Sequence, residues 1–330
     1  GWNFNGMLAR KDGGMATLAA QGDFEGKTPR KVWLLRLDAA GELQSKSEIY
    51  SHNGQGNGFH PVRAYTLLER ADGGFMAGIG HGYADGSKYI PHLLGLASDG
   101  TVQWDKTPPY NTCSLGVMQA LASYPSGDVL DVRSCPDGYQ NRTHSYVIRR
   151  NNSGEAMWAE SGNGRFYVEG ADIALHDGLI VGKDTAWVAG SIFGGKDIAT
   201  AHHSATVVAF DGGGALLWQK VLGETASTAF VALEATAQGA IVAAGWREVA
   251  GVRRVLLIGL GAKGNPLWRH SPTTGAQTTP TAIVALNDSA LMLAGIQRQG
   301  LLDQTWLGRY DAVGHFEQDK TVTLGTSAEA

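Results

Sequence analysis

The stretch DGTVQW, residues 99–104, contains a glycine and, four residues later, a tryptophan. The same pair recurs along the chain. The four occurrences are Gly100/Trp104, Gly154/Trp158, Gly214/Trp218 and Gly264/Trp268. Glycine supplies the left-handed backbone that a tight turn needs, and a tryptophan on the next strand buries a large ring. The pattern therefore indicates a repeated unit in which a turn precedes a strand that packs through its tryptophan.

Alignment on this glycine divides the chain into six units. Their turn glycines are Gly41, Gly100, Gly154, Gly214, Gly264 and Gly314, at steps of 59, 54, 60, 50 and 50 residues. The first unit has Ser45 at the tryptophan position and carries Trp33 eight residues before its glycine. The last unit has Gln318 and Trp306 in the same two places. These two units would be neighbours if the repeat closed on itself.

Each unit contains short apolar runs that read as four strands, A to D. Strand C, such as VWLLRLD or TVVAFD, precedes the turn glycine, and strand B, such as GGFMAGIG or GAIVAAGW, is rich in small residues that suit a crowded centre. We therefore predict an all-β fold, a six-bladed β-propeller of four-stranded antiparallel blades. It forms one domain over 1–330, with approximate blades 7–60, 61–116, 117–170, 171–228, 229–280 and 281–330.

This repeat resembles that of bacterial β-propeller repeat proteins with the pattern DGG…WLLKLD-x-x-G-x-x-x-W. The likeness is carried by ADGGFMAGIG with LLGLASDGTVQW and by KVWLLRLDAAGEL, and it implies an architecture that accompanies many functions. The Gly-x-x-x-Trp element is also similar to the tryptophan-docking motif of quinoprotein dehydrogenases. Those proteins usually have eight blades with defined quinone and calcium ligands, so their activity is not carried over to six units without that ligand set.

Charge and hydropathy argue against a nucleic-acid partner and against a membrane-spanning segment. The net charge is −4, whereas nucleic-acid binding requires clustered Lys and Arg. No apolar run approaches the ~20 residues that span a membrane, and the opening GWNFNGMLARKDGG lacks a signal-peptide pattern. We expect no nucleic-acid partner, no membrane-spanning segment and a soluble chain that is already processed.

Two glycine-rich stretches imitate cofactor motifs. GLGAKG, residues 259–264, matches a dinucleotide fingerprint, but NPLWRH follows it where a helix is required. GDFEGKT, residues 22–28, resembles a phosphate-binding loop that is one residue short, and Pro29 blocks a helical continuation. Neither a G-x-S-x-G nor an H-E-x-x-H motif is present in the sequence.

A binding surface is predicted on one face of the propeller. The B–C loops and D–A connections emerge together there, and in this chain they are long and variable, as binding loops on a rigid scaffold are. Their aromatic, histidine and arginine side chains suit a protein or glycan interface. The predicted binding residues are His81, Tyr83, Tyr110, Tyr139, His144, Arg165, Tyr167, His202, Trp246 and Arg247.

Potential metal ligands are concentrated on the same face. Its histidines include His52, His60, His81, His144, His202 and His203. We expect exposed histidines without shared geometry, hence no metal site. Aspartates recur in the B–C loops at Asp23, Asp85, Asp137 and Asp197, a pattern that calcium binding would use, although Asp beside Gly is ordinary turn chemistry. No cofactor is predicted.

The two cysteines, Cys113 and Cys135, both fall on this face in the third blade. A disulfide between them is predicted, worth about 3 kcal/mol in the chain-entropy model. It implies an oxidising compartment, so a periplasmic, extracellular or secreted bacterial protein is expected. The alternative is a pair of reduced cysteines in a cytosolic protein.

These patterns favour a non-catalytic binding module of the bacterial envelope that engages a protein partner through the long-loop face. An inhibitor or immunity protein would be one form of it. The alternative is a hydrolase or lyase that acts on a glycan or ester, with histidine and acidic residues around the mouth of the central channel. A purely structural role is the third hypothesis.

Overall fold

A computed structural model describes residues 2–21, 30–52, 62–82, 89–107, 117–137, 142–158, 165–166, 171–194, 202–223, 225–272, 277–286, 290–300 and 302–322. These residues contain twenty-four strands in six four-stranded antiparallel sheets. The predicted all-β fold and six-bladed β-propeller are confirmed. Each sheet is formed by four consecutive strands in chain order, as predicted for blades that run from A to D.

The chain divides into two compact units, Gly1–Tyr167 and Val168–Ala330, with three blades each. In the first unit, blade 1 is β1 (Trp2–Ala9), β2 (Met15–Gln21), β3 (Arg30–Leu37) and β4 (Leu43–His52). Blade 2 is β5 (Val62–Glu69), β6 (Phe75–Gly82), β7 (Tyr89–Leu96) and β8 (Val102–Lys106). Blade 3 is β9 (Val117–Ser123), β10 (Val129–Asp137), β11 (Arg142–Arg150) and β12 (Arg165–Phe166).

The second unit repeats this organisation. Blade 4 is β13 (Ala171–Val181), β14 (Thr185–Gly194), β15 (His203–Phe210) and β16 (Leu216–Val221). Blade 5 is β17 (Thr228–Ala235), β18 (Ile241–Val249), β19 (Val252–Leu260) and β20 (Pro266–His270). Blade 6 is β21 (Gln277–Ala285), β22 (Leu291–Gln299), β23 (Leu302–Tyr310) and β24 (Phe316–Val322).

The C–D turns explain the recurring glycine. In blade 2 the Gly100 N–H donates to the Ala97 carbonyl at 3.0 Å, the Ala97 N–H donates to the Thr101 carbonyl at 2.8 Å, and Gly100 has φ of 90°. This is a turn closed by a left-handed glycine at a bulge, a conformation that other residues rarely adopt. The same hydrogen bonds and positive φ occur at the turns closed by Gly41, Gly154, Gly214, Gly264 and Gly314.

The tryptophan of the repeat packs between two glycines. A Cβ atom built on Gly95, which lies opposite Trp104 in the sheet, would come within 2.1 Å of Trp104 Cε2. A Cβ on Gly154, the turn glycine of the next blade, would come within 2.7 Å of Trp104 Cζ3. The turn glycine therefore leaves room for the indole of the preceding blade, which is why the two residues recur together.

The second unit uses the same arrangement. Trp268 lies between Gly259 of its own blade and Gly314 of blade 6, where added Cβ atoms would meet its ring at 2.2 and 2.4 Å. Trp218 of blade 4 packs on Gly264 of blade 5, with a corresponding distance of 2.5 Å. Blades 2 and 3, 4 and 5, and 5 and 6 are thus joined by an indole that packs on the turn glycine of the following blade.

Tryptophans at the alternative position pack differently. Trp306 is fully buried, covers Gly308 of its own blade, and donates from Nε1 to Asp319 Oδ2 at 2.9 Å. Trp33 lies under the ammonium group of Lys46, at 4.1 Å from the ring centroid. In blade 1, where Ser45 replaces the tryptophan, the Ser47 hydroxyl donates to the Asp99 carbonyl at 2.9 Å and so joins blade 1 to blade 2 by a polar contact.

The strand β1 pairs with β2 in an antiparallel register and belongs to the sheet of blade 1. Among the described residues, no helix has the length and apolar character to cross a membrane.

Candidate functional site

Polar side chains from blades 1 and 2 meet at the strand ends that lead into the D–A and B–C connections. Tyr50 and His52 end β4, His81 lies near the end of β6, and His92 lies near the start of β7. Asp105 lies on β8. We call these five residues the histidine cluster, and all belong to the unit Gly1–Tyr167.

The cluster is a continuous chain of polar contacts. The Tyr50 hydroxyl lies 2.7 Å from His81 Nδ1, and His92 Nε2 lies 3.0 Å from the same nitrogen. His92 Nδ1 lies 2.9 and 3.0 Å from the two carboxylate oxygens of Asp105. The ring of His52 stacks on that of His81, with centroids 4.9 Å apart and planes at 15°.

Strand alternation brings these residues together. Phe75, Ala77 and Ile79 of β6 point into the core shared by blades 1 and 2, and His81 follows on the same face two residues later. On β7, Leu94 and Leu96 belong to this core, which places His92 on that face as well. The contacting residues are therefore extensions of a buried apolar surface, and they become polar only at its end.

The Asp105 carboxylate determines where the hydrogens lie. A carboxylate only accepts, so His92 Nδ1 donates its hydrogen to Asp105. In neutral His92, Nε2 is then an acceptor and takes the hydrogen of His81 Nδ1, which makes Nε2 the basic nitrogen of His81. Asp105 and His92 thus orient His81 in the way that a carboxylate orients a catalytic histidine.

The environment keeps Tyr50 protonated. Burial, together with the negative charge of Asp105, raises the pKa of the Tyr50 hydroxyl to about 12. His92 is largely buried, with its side chain 10% exposed, whereas the Asp105 side chain is 40% exposed. At neutral pH the cluster therefore holds a phenol that can donate a proton beside an imidazole that can accept one.

This arrangement suits proton transfer better than covalent catalysis. Thr107 Oγ1 lies 3.3 Å from His92 Nδ1, the nitrogen that Asp105 already contacts, whereas a nucleophile and its supporting acid contact opposite nitrogens of the ring. Glycoside hydrolysis in its usual form needs two carboxyl groups, and Asp105 is the only one in the cluster. A phenol in contact, at 2.7 Å from Nδ1, with an imidazole whose other nitrogen is basic points to elimination or isomerisation.

Only part of this site was predicted from the sequence. His81 was a predicted binding residue, and the expectation that the loop histidines share no geometry is wrong for His52 and His81, which stack. Tyr50, His92 and Asp105 were missed. The available signal was His92, because its position eight residues before the turn glycine is occupied by tryptophan, tyrosine, threonine or leucine in the other units.

The other predicted residues lie elsewhere or outside the described part. His144 is buried on β11 opposite Cys135, and His202 Nδ1 lies 3.5 Å from the Ser227 hydroxyl. Trp246 is 9% exposed beneath the Arg253 guanidinium, and Arg247 follows it on β18. Arg165 is placed on β12. The predicted residues Tyr83, Tyr110, Tyr139 and Tyr167 lie outside the described residues, as do His60, Asp23, Asp85 and Asp197.

Cys135 is 3% exposed and is not a free thiol. Cys113 lies outside the described residues, so its pairing with Cys135 stays a prediction. Within the described ranges, no group of three or more histidine, cysteine or acidic side chains is arranged to hold a metal ion.

Comparison with known proteins identifies the class as a β-propeller. No protein-family model and no curated protein matches this chain. A protein of unknown function from Dyadobacter fermentans is similar in structure, with 12% identity, 93% of each chain covered and a TM-score of 0.55. A polysaccharide lyase, an ulvan lyase bound to -[GlcA(1-4)Rha3S]-, is 11% identical over 96% of this chain and 82% of its own, with a TM-score of 0.58.

A glucose dehydrogenase is also similar, with 10% identity, 98% of this chain and 96% of its own covered, and a TM-score of 0.50. At these identities the likeness concerns the fold alone. The chain is therefore a β-propeller, and its particular activity has to be argued from the histidine cluster.

Proposed function

We propose that this protein is a lyase that cleaves a uronate-containing polysaccharide by β-elimination at the histidine cluster. The observation that carries the proposal is the 2.7 Å contact between Tyr50 Oη and His81 Nδ1, within a chain that ends at the Asp105 carboxylate. Of the two functions that the sequence predicts, it favours the alternative, a hydrolase or lyase that acts on a glycan or ester, over the non-catalytic binding module.

The reaction needs one base and one acid. His81 takes the proton from the carbon next to the uronate carboxylate, and the released electron pair forms a double bond to the neighbouring carbon. The bond from that carbon to the glycosidic oxygen breaks, and the oxygen receives the proton of Tyr50. The hydrogen on His81 Nδ1 then passes to the Tyr50 phenolate across the 2.7 Å contact, which restores the phenol and leaves His81 neutral with its hydrogen on Nε2. Loss of that hydrogen to water and uptake of another at Nδ1 return His81 to its starting tautomer.

Two further features support this assignment. Asp105 and His92 stabilise the positive charge that His81 gains when it takes the proton. Arg30 lies directly opposite His52 in the β3–β4 register, on the face that carries Val32 and Leu34 into the shared core. Its permanent positive charge is placed to attract a uronate carboxylate. The similar fold of a polysaccharide lyase with bound GlcA-containing glycan suggested the substrate class.

The test is to incubate the protein with polymers of galacturonate, of mannuronate and guluronate, and of sulfated glucuronate and rhamnose. Ultraviolet absorbance would detect the unsaturated uronate that elimination leaves. We expect His81→Ala and Tyr50→Phe to lower kcat by ~10²-fold or more. His315→Ala is the matched control, because it removes another histidine paired with a carboxylate, Asp311 at 2.9 Å.

Absence of an unsaturated product with every polymer would contradict the proposal. So would full activity in the folded His81→Ala variant. Either result would favour the alternative function, a non-catalytic binding module.

Binding of a protein partner is the second candidate function. It is favoured by Trp246, a frequent interface residue, whose ring lies 4.1 Å from the Arg253 guanidinium at the strand ends of blade 5. The test is to compare retention of envelope proteins by the native chain and by a Trp246→Ala variant. Equal retention of every protein would contradict a role for Trp246.

A further inference from the structure

The β18–β19 hairpin of blade 5 departs from the favoured local structure at its turn. Val249 and Val252 pair around Ala250 and Gly251, which have φ of 51° and 76°. A two-residue turn of this type normally has asparagine or aspartate before the glycine. Ala250 is the one non-glycine residue with positive φ in the described part of the chain, so the turn is held in an unfavourable conformation.

The same hairpin sets two positive charges against each other. Arg247 and Arg254 are directly opposite in the antiparallel register, a placement that destabilises a sheet when the charges are alike. The next pair toward the turn, Glu248 and Arg253, has opposite charges and is joined at 3.5 Å. The hairpin end thus carries three arginines and one glutamate.

The corresponding hairpin of blade 6 has neutral residues where blade 5 has Arg247 and Arg254. There the register places Gln297 opposite Gln304, and Arg298 opposite Asp303. Arg298 donates to both Asp303 oxygens, at 2.7 and 3.0 Å. The two hairpins therefore share an ion pair next to the turn, but blade 5 has two arginines where blade 6 has two neutral amides.

Arg247 and Arg254 extend the face of blade 5 that packs on blade 4. On that face Ala243 and Leu256 belong to a core with Ala205 and Val207 of β15, and strand alternation continues it to the two arginines. At the same end of β15 stands His203, whose ring lies against Phe193 at 4.9 Å. Burial, with the positive charge of Arg253, lowers the pKa of His203, so this histidine adds no lasting positive charge.

The guanidinium group of Arg254 retains unused hydrogen-bonding capacity. Its Nε atom is buried and has no hydrogen-bond partner among the described residues. A buried N–H of a charged group without an acceptor is costly to the folded protein. An oxyanion would accept from this group and would relieve its repulsion from Arg247.

We propose that Arg247 and Arg254 form a binding site for an oxyanion group of a ligand, the sulfate ester or carboxylate of an acidic glycan. A local structure that is unfavourable in both its turn and its charges is the mark of a functional position. The site lies in the unit Val168–Ala330 and is argued independently of the histidine cluster.

The test compares the native protein with a double variant, Arg247→Gln with Arg254→Gln, which installs the residues of blade 6. Melting temperatures are measured in sodium chloride and in sodium sulfate at equal ionic strength. Sulfate stabilises folded proteins in general because it is excluded from their surface. We therefore expect sulfate to raise the melting temperature of the native protein by more than that of the double variant. In chloride the double variant should melt higher than the native protein, because the repulsion is gone.

Arg298→Gln in blade 6 is the control, and it should keep the sulfate effect. Binding to dextran sulfate and to polygalacturonate, with neutral dextran as reference, then separates a sulfate ester from a carboxylate as the ligand group. An unchanged sulfate effect in the double variant, or a double variant that melts lower in chloride, would overturn the proposal.

Discussion

Tyr50 shows how the position of a single side chain determines its chemistry. In water a phenol and an imidazole exchange a proton with solvent, but Tyr50 is half-buried against His81 and close to Asp105. Burial raises its pKa to about 12, so it holds its proton over the whole neutral range. The residue can therefore act as an acid in elimination and is a poor base there.

The raised pKa predicts how the stability of the protein depends on pH. A group that is more basic in the folded state stabilises the fold below its unfolded pKa, and this contribution is lost as the pH rises through the folded value. The free energy of unfolding should therefore decline from pH 10.0 toward about 12 through Tyr50. Denaturant unfolding of the native protein and Tyr50→Phe should show a smaller decline in the variant, and parallel curves would contradict the assignment.

Glu234 and Asp177 give a second pH dependence, in the neutral range. Burial, with the charge of Asp177, raises the pKa of Glu234 to about 7, and burial raises that of Asp177 to about 6. Asp177 is nonetheless hydrogen-bonded to the Leu233 N–H at 2.7 Å, which joins blade 4 to blade 5. Both acids favour the folded state when protonated, so stability should fall as the pH rises through these values.

Glu234→Gln tests this expectation, because glutamine stays neutral at every pH. Chemical denaturation at pH ~5 and ~8 should show a smaller loss of stability in the variant than in the native protein. Glu155→Gln is the control, since hydrogen bonding to Lys106 lowers the pKa of Glu155 and moves its titration out of this range. An equal loss in native and Glu234→Gln protein would contradict the prediction.

The strand and turn are the next scale, and here the glycine–tryptophan contact is decisive. Gly264 has φ of 69°, and a Cβ atom added to it would lie 2.5 Å from the Trp218 ring. Gly239 also has positive φ, 79°, but a Cβ there would have nothing within 4 Å. The two glycines therefore separate the cost of the backbone conformation from the cost of displacing an indole.

We expect Gly239→Ala to lower the free energy of unfolding by ~1–2 kcal/mol through backbone strain. Gly264→Ala should lower it by a further ~1–3 kcal/mol because the methyl group overpacks the Trp218 ring. Urea denaturation of both variants measures the difference. Equal losses would mean that the indole contact adds nothing to the stability of the turn.

At this scale the sequence predicted the fold well. The turn hydrogen bonds and the glycine conformation are local and recur in all six units, and the tryptophan packing recurs in three of them, so the same pattern can be recognised several times in one sequence. The histidine cluster is different, because Tyr50 and His81 are 31 residues apart and belong to different blades. Their contact depends on strand register and on the direction of each side chain, which a repeat pattern does not encode.

At the scale of the whole molecule, the prediction of one domain can be tested by calorimetry. The chain has two compact units, and a single domain requires that they unfold together. We expect one thermal transition whose calorimetric and van't Hoff enthalpies agree. Gly154→Ala in the first unit and Gly264→Ala in the second should both move this transition, and two transitions that move separately would contradict it.

The predicted disulfide belongs to the same scale because it bears on where the whole protein resides. If Cys113 and Cys135 are joined, reduction should lower the free energy of unfolding by about 3 kcal/mol and should release two thiols. Cys135→Ser should be as unstable as the reduced protein. Two free thiols in the purified chain before reduction would contradict the pairing and the oxidising compartment inferred from it.

The indole seated on the turn glycine of the following blade also bears on how such a protein arises. A blade copied in tandem carries a tryptophan that packs on the following blade. It also carries a turn glycine that makes room for the tryptophan of the preceding blade. The new copy can pack at once, without a compensating mutation in its neighbours. Duplication of whole blades is thus an accessible evolutionary step, whereas gain or loss of half a blade would leave an indole exposed or a socket empty.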